Sequence, residues 1–460
     1  MLERARSIAA LLRGKKRVLV VTHIDADGIC SGAIASLALE RAGIEHRVRF
    51  LKQLDVATVS TLDTDSLIWF TDLGSGSQSL LGELECVITD HHVPDGTTRI
   101  PQVNPHLAGL DGATDLSGAG ATYLVARELA PQAGELTALA VVGAVGDLQD
   151  RRAGRLVGTN RLILDEGKRA GVLDWSIDIR YFGRETRPVH KMLQYASDPG
   201  IPGVSGSEEG SLAFLQPLGV PLKDGERWRS WASLSLEEKR KIASAIVIRL
   251  IELGAGHAAA RRVLGEVYTL IKEEPGTELR DAMEFATLLN SCGRHDRPEV
   301  GLAVCRGDRG EGLRRALSLL QGHRRSLVDG IQLVKELGVR RRRHLQYFHA
   351  GDGISDTIVG VVAGMLLASG EAGVDPGLPM VAFAKAEDGS GVKVSARGTR
   401  ALTERGLDLS VVMRGAAAAV GGTGGGHNVA AGGTIPEGSE ERFLEEAERI
   451  LGGQLAGKSA

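Results

Sequence analysis

RVLVVTHIDADG, residues 17–28, is the stretch on which the fold turns. Its first six residues hold a short apolar run, VLVV, rich in β-branched side chains and without alternation. That is the pattern of a strand buried on both faces of a parallel sheet. A short polar loop follows, and Gly28 lets the chain turn into a helix expected from about 29 to 42. Further strands are predicted at 48–51, 67–71 and 86–89, and helices near 78–85, 120–129 and 134–145. Strands alternating with helices imply an α/β fold with a doubly wound parallel sheet.

Beyond this sheet the character of the chain changes. Residues 176–335 carry turn clusters, Ser197-Asp198-Pro199-Gly200 and Pro202-Gly203, and a charged helical stretch at 236–253. They read as a mostly helical insertion. Residues 336–460 read as a smaller α/β domain. In it, 349–353 leads into a helix at 354–367, with strands at 380–385 and 392–396. An Ala-rich helix, a Gly-rich loop at 421–426 and a closing helix near 440–451 complete it. The first domain is then 1–175.

With 460 residues, 43% of them hydrophobic, the chain can build two or three cores. No run of eighteen apolar residues occurs, so no membrane partner is expected. The start, MLERARSIAALLRGKKR, reads as an amphipathic helix rather than a secretory signal. Cys30, Cys86, Cys292 and Cys305 form no CxxC pair, which argues against a zinc ribbon and for a reducing, cytoplasmic setting. Lys and Arg number 55 against 58 Asp and Glu, so a nucleic-acid partner would need a local basic groove.

Four segments are rich in metal-ligating side chains. They are His23-Ile24-Asp25-Ala26-Asp27, Asp72 after LIWFT, Asp90-His91-His92 after CVIT, and Asp147 after an apolar helix. Open parallel sheets bind ligands beyond the carboxyl ends of their strands, so at least three of these segments should meet at one crevice. So many carboxylates would repel one another there, and divalent cations are the natural compensation. Mixed His and Asp donors without Cys suit Mn²⁺ best, with Mg²⁺ or zinc as alternatives. Two metals about 3.5–4 Å apart can activate water and stabilise both oxygens of a phosphoryl transfer.

On these residues the chain resembles the DHH phosphoesterase superfamily. The match is HIDADG at 23–28, Asp72 in TDLG, DHH at 90–92 and Asp147 in VGD. The last domain resembles the DHH-associated domain through VSARG at 394–398 and GGTGGGHNVAAGG at 421–433. RETRPVH at 184–190 and DPGIPGVSG at 198–206 look like the archaeal RecJ-like nucleases, which are similar to the GINS-associated nuclease. The resemblance implies that His23 and Asp25 hold one metal, that Asp27, His91 and Asp147 hold the other, and that Asp72 bridges them. It implies that Asp90 orients a histidine and that His92 meets the scissile phosphate or the leaving group. It implies a phosphate grip by Arg397 and the backbone N–H groups of Gly424, Gly425, Gly426 and His427, and a substrate contact for His106. The implied activity is a manganese-dependent single-strand exonuclease on DNA or RNA, in replication or repair, with GINS as a candidate partner. A small-substrate phosphodiesterase, acting on oligonucleotides or cyclic dinucleotides, and a replisome scaffold are the alternatives.

Each feature has a plainer reading. An isolated Asp or His after a strand is usually a cap or turn. The glycine loop could be a helix C-cap. Asn104-Pro105-His106 could be a simple turn, and Ser117 most simply caps a helix. Arg340–Arg343 reads as a solvated run, Cys30 and Cys86 as core residues. The 349–353 segment could be a substrate loop or a helix-starting turn.

Overall fold

The computed structural model describes residues 1–456 apart from 64, 97–99, 131 and 255. Strand β1 (Arg17–His23) pairs in parallel with β2 (Glu45–Leu51) on one side and β3 (Leu67–Thr71) on the other. β4 (Cys86–Thr89) and the two-residue β5 (Gln102–Val103), which the sequence pattern did not reveal, extend the sheet in parallel. The order β2-β1-β3-β4-β5 places a topological switch between β1 and β3. A crevice opens at such a point, beyond the carboxyl ends of the strands. All of β3 and β4 is buried, as their unbroken apolar runs require.

Helix α1 (Leu2–Arg13) precedes the sheet, and α2 (Ala26–Arg41) follows β1. α2 starts three residues earlier than the apolar pattern predicts. Asp25 caps it through an Oδ1 bond to the Gly28 N–H at 2.9 Å. A one-turn helix, α3 (Val56–Val59), follows β2. Instead of the helix expected near 78–85, a 3-10 segment spans Ser75–Leu80. There the N–H groups of Ser75 and Ser79 turn to the carboxylates of Asp90 and Asp95, which diverts them from a regular helix. α4 (Gly118–Leu129) carries the expected Ser117 cap, and α5 (Thr137–Gly146) ends at Asp147. α6 (Gly158–Arg169) leads to β6 (Leu173–Ile179).

The middle of the chain is mostly helical. α7 (Val189–Gln194), α8 (Glu208–Leu215), α9 (Leu236–Glu252) and α10 (Gly256–Val263) surround a core that includes buried Trp231. A small hairpin, β7 (Lys223–Asp224) with β8 (Arg227–Trp228), lies among them, and β9 (Leu264–Leu270) pairs back antiparallel with β6. α11 (Ala282–Arg294) and α12 (Pro298–Cys305) share the main core with α2. Arg184 of RETRPVH is buried between Asp178 and Asp281, 3.2 Å from each. It joins β6 to the N-terminal cap of α11.

The chain divides into two compact units, Met1–Leu320 and Gln321–Ala460, the division falling in α13 (Glu311–Leu337). The second unit has a six-stranded sheet. Its strands are β10 (Arg340–Arg341), β11 (Gln346–His349), β12 (Met380–Lys385), β13 (Val392–Arg397), β14 (Thr423–Gly426) and β15 (Ala430–Ile435), in the order β10-β11-β12-β13-β15-β14. Alternate residues of β12 serve two cores. Met380, Ala382 and Ala384 pack with α14 (Val359–Ser369), and Val381 and Phe383 pack with α16 (Leu409–Ala419) and α17 (Glu440–Ala456). A five-residue helix, α15 (Arg400–Glu404), follows β13.

Three expectations need correction here. The helix expected at 354–367 begins at Val359. Arg340–Arg343 is not simply a solvated run, because Arg340 and Arg341 pair with β11 and Arg342 bonds Glu441. The glycine stretch 421–426 is not a loop throughout, since Thr423–Gly426 form an edge strand. Its glycines admit a close neighbour: a Cβ on Gly424 would stand 2.5 Å from the Met413 carbonyl oxygen of α16.

Candidate metal centre

The crevice side of the first sheet gathers all four ligand-rich segments. His23 closes β1, and Asp25 is 3.0 Å from its Nδ1. Asp72 directly follows β3 in the left-handed region (φ 59°), its N–H held by Thr89 O at 2.8 Å. That turn aims one carboxylate oxygen at His23 Nδ1 (3.9 Å) and the other at His91 Nε2 (3.4 Å). Asp147, at the end of α5, lies 3.1 Å from His91 Nε2, and Asp27 lies 3.9 Å from it. Two ligand-like groups result, His23–Asp25–Asp72 and Asp27–His91–Asp147, and Asp72 also joins Asp90, His91 and His92 in a third.

The backbone is shaped around these carboxylates. Asp27 accepts the N–H groups of Gly118 (2.7 Å) and Ala119 (2.9 Å), so its charge sits at the N-terminus of α4. Asp90 is fully buried and accepts from the backbone N–H of Ser75 (2.9 Å), His91 (2.7 Å) and His92 (3.2 Å), and from His92 Nδ1 (2.8 Å). Asp90 therefore spends its oxygens on shaping the DHH turn. His92 is half exposed.

The electrostatics follow from burial and crowding. Burial, then the neighbouring Asp147, pushes Asp27 up to about 6. Burial, then Asp27 and Asp25, holds Asp72 well above the usual carboxylate range. Burial also opposes charge on Asp90, but His92 and the hydrogen bonds win and hold it far below that range. For His91, burial is outweighed by Asp147 and Asp27, which raise it to about 9. Asp90 raises His92 to about 9. Asp72 Oδ1 is buried with no hydrogen-bond partner. An acceptor of that kind costs free energy unless something electropositive meets it. Carboxylates forced towards protonation beside imidazoles are a donor set that fits a divalent cation.

Other expected residues have defined places. His106 is half buried, its N–H on Asn104 Oδ1 (2.9 Å). Asn104 Nδ2 donates to His92 O (2.8 Å), so the Asn-Pro-His turn is fastened to the DHH turn. Arg397, Gly424, Gly425, Gly426 and His427 belong to the second unit. Arg397 ends β13 with its guanidinium beside Gly360 of α14. The His427 N–H is occupied by Ala430 O at 2.8 Å. By antiparallel alternation from that pair, the N–H groups of Gly424 and Gly426 face the free edge of β14.

Sequence reasoning missed several residues that build the centre: Gly112, Gln149, Asn160 and Asn290. Asn290 of α11 accepts the Ala26 N–H at 3.0 Å, 264 positions away in the chain. Nothing local in the sequence marks such a contact.

Comparison with known proteins identifies the domains. Residues 17–144 match the model of the DHH family N-terminal domain, 181–264 the DHH-CID domain and 344–453 the DHHA1 domain. An uncharacterized protein of Methanocaldococcus jannaschii, MJ0831, is 29% identical over 475 residues, covering 99% of this chain and all of that one. The crystal structure of exonuclease RecJ bound to manganese superposes with a TM-score of 0.58 at 18% identity, over 99% of this chain and 97% of that one. CDC45 from Entamoeba histolytica superposes at 0.66 with 12% identity, over 98% and 99%. The chain belongs to the DHH phosphoesterase superfamily. Within it the chain carries DHH, DHH-CID and DHHA1 domains in order, and its fold is similar to that of RecJ.

Proposed function

We propose that the protein is a manganese-dependent exonuclease that removes nucleotides from single-stranded DNA or RNA, in replication or repair. The observation that carries the reading is Asp72, with its carboxylate between two ligand-like groups and one buried oxygen that accepts no hydrogen bond. His23 and Asp25 would hold one Mn²⁺, Asp27, His91 and Asp147 a second, with Asp72 shared. When bound, such a pair supplies an activated water and charge stabilisation for phosphodiester cleavage.

The protein's own groups do the rest. Asp90 holds the His92 ring by Nδ1, which leaves Nε2 to donate outward. At neutral pH His92 is protonated, so it can donate to a phosphate oxygen or to the leaving oxygen. The backbone N–H groups of Gly118 and Ala119 hold the Asp27 carboxylate in place and favour its ionised form against the opposing effect of burial. In the second unit, Arg397 and the edge N–H groups of Gly424 and Gly426 would bind a phosphate of the strand, and His106 would touch substrate beside His92.

The test is digestion of end-labelled single-stranded 20-mers with Mn²⁺, with Mg²⁺ and with EDTA. Stepwise release of mononucleotides with Mn²⁺ is expected, lost in Asp72→Ala. No cleavage by the wild type, or unchanged cleavage by the variant, removes the proposal. Faster hydrolysis of dinucleotides than of 20-mers would favour a small-substrate enzyme. A second reading, compatible with the first, is a replisome scaffold that binds GINS, drawn from the fold shared with CDC45. Co-migration with GINS in gel filtration is its test, and separate elution counts against it.

A further inference from the structure

Two residues beyond Asp147 the chain buries an amide that the reading above gives no role. Gln149 is 1% exposed and its partner Asn160 is 2% exposed. Gln149 Nε2 donates to Gly112 O at 2.9 Å, and its Oε1 accepts from Asn160 Nδ2 at 2.6 Å. The same Gly112 oxygen faces His91 Nδ1 at 2.7 Å. Because a carbonyl oxygen only accepts, Nδ1 must carry a proton. With Nδ1 so held, the proton that His91 gives up on ligating a cation is the one on Nε2, and that nitrogen is aimed at Asp147 and Asp27. Asn160 Oδ1 in turn accepts the N–H of Ser117, the cap of α4, at 3.3 Å. The next two N–H groups of that helix are the ones that grip Asp27. One buried amide pair thus reaches three side chains: His91 through Gly112, Asp27 through the α4 cap, and Asp147 through the chain itself.

We propose that Gln149 and Asn160 are positioning residues for the cation site formed by Asp27, His91 and Asp147, fixing the tautomer of His91 and the placement of Asp27 together. The proposal rests on the metal reading above. Groups that orient a ligating histidine this way are typically worth about 10–100-fold in metal affinity. The hydrogen bonds of this pair lead to His91 and Asp27 and not to His23 or Asp25, so the loss should fall on one site.

The experiment is Mn²⁺ titration of the full chain, followed calorimetrically and by electron paramagnetic resonance. Wild type is compared with Gln149→Met and Asn160→Asp. Gln149→Met keeps the length and removes donor and acceptor. Asn160→Asp keeps the acceptor for Ser117 but offers Gln149 only an acceptor. The Gln149 amide must then turn over and present its oxygen to Gly112. Metal-free thermal midpoints report the fold of each variant. In at least one folded variant, one of two Mn²⁺ sites is expected to weaken about 10–100-fold while the other keeps its affinity. Unchanged affinity at both sites, or equal loss at both, overturns the proposal. A wild type that binds no Mn²⁺ overturns the metal reading as well, and is recognised by that.

Discussion

Gly143→Ala tests how tightly the centre is built. Gly143 lies on α5, one turn before Asp147, packed against α4 and the first turn of α2. A methyl group there would stand 2.6 Å from Ala119 Cβ and would collide with Asp27 Oδ1. Overpacking of this kind costs about 1–3 kcal/mol. The helix propensity gained by replacing glycine returns at most about 1 kcal/mol. Moving Asp27 also strains its bonds to Gly118 and Ala119, and losing one hydrogen bond to a charged group costs about 1.5–3 kcal/mol. The net expectation is a loss of about 1.5–6 kcal/mol. It should appear in urea unfolding of the metal-free chain and in Mn²⁺ affinity, where each ~1.4 kcal/mol is tenfold. Gly453→Ala is the control. It sits in α17 with nothing within 4 Å of the new methyl, so the same change should stabilise by up to about 1 kcal/mol. If Gly143→Ala is as stable as wild type and binds Mn²⁺ equally, the packing argument around Asp27 is wrong.

Arg184→Met should destabilise by about 3–5 kcal/mol in urea, because Asp178 and Asp281 lose their buried partner; a change below ~1 kcal/mol would contradict it. Burial, then Asp281, raises Glu284 to about 7 in the folded chain. The ionised form is thus penalised: the cost is absent below pH ~4.5, grows as pH rises towards 7 and is complete above. Glu284→Gln should therefore stabilise by up to about 3 kcal/mol at pH 8 and leave pH 4 unchanged, and equal effects at both would refute this. Saturating Mn²⁺ should raise the thermal midpoint and EDTA should reverse it, since ligand at 100 times its Kd adds about 2.7 kcal/mol; no shift argues against a bound cation.

Much of the centre was legible because its chemistry lies next to strong local signals. RVLVVT announces β1, and a polar loop after such a strand has to stand at the carboxyl edge of the sheet. LIWFT and CVIT place Asp72 and Asp90 by the same logic. What was not legible depends on contacts across the chain. Gln149 looks like an ordinary turn residue after GD, and its meaning comes from Gly112 and Asn160. Asn290 supports Ala26 only because α11 returns to the first core. The 78–85 segment has helical composition, but Asp90 and Asp95 capture its N–H groups. The glycines at 424–426 suggest a loop in isolation, and pairing with Ala430–Ile435 makes them, with Thr423, a strand.

The most direct measurement is the anomalous scattering of crystals of this chain grown with Mn²⁺. Two peaks about 3.5–4 Å apart are expected, one among His23 and Asp25, the other among Asp27, His91 and Asp147, with Asp72 touching both. Peaks elsewhere, or none at these side chains in fully occupied Mn²⁺, would contradict the account.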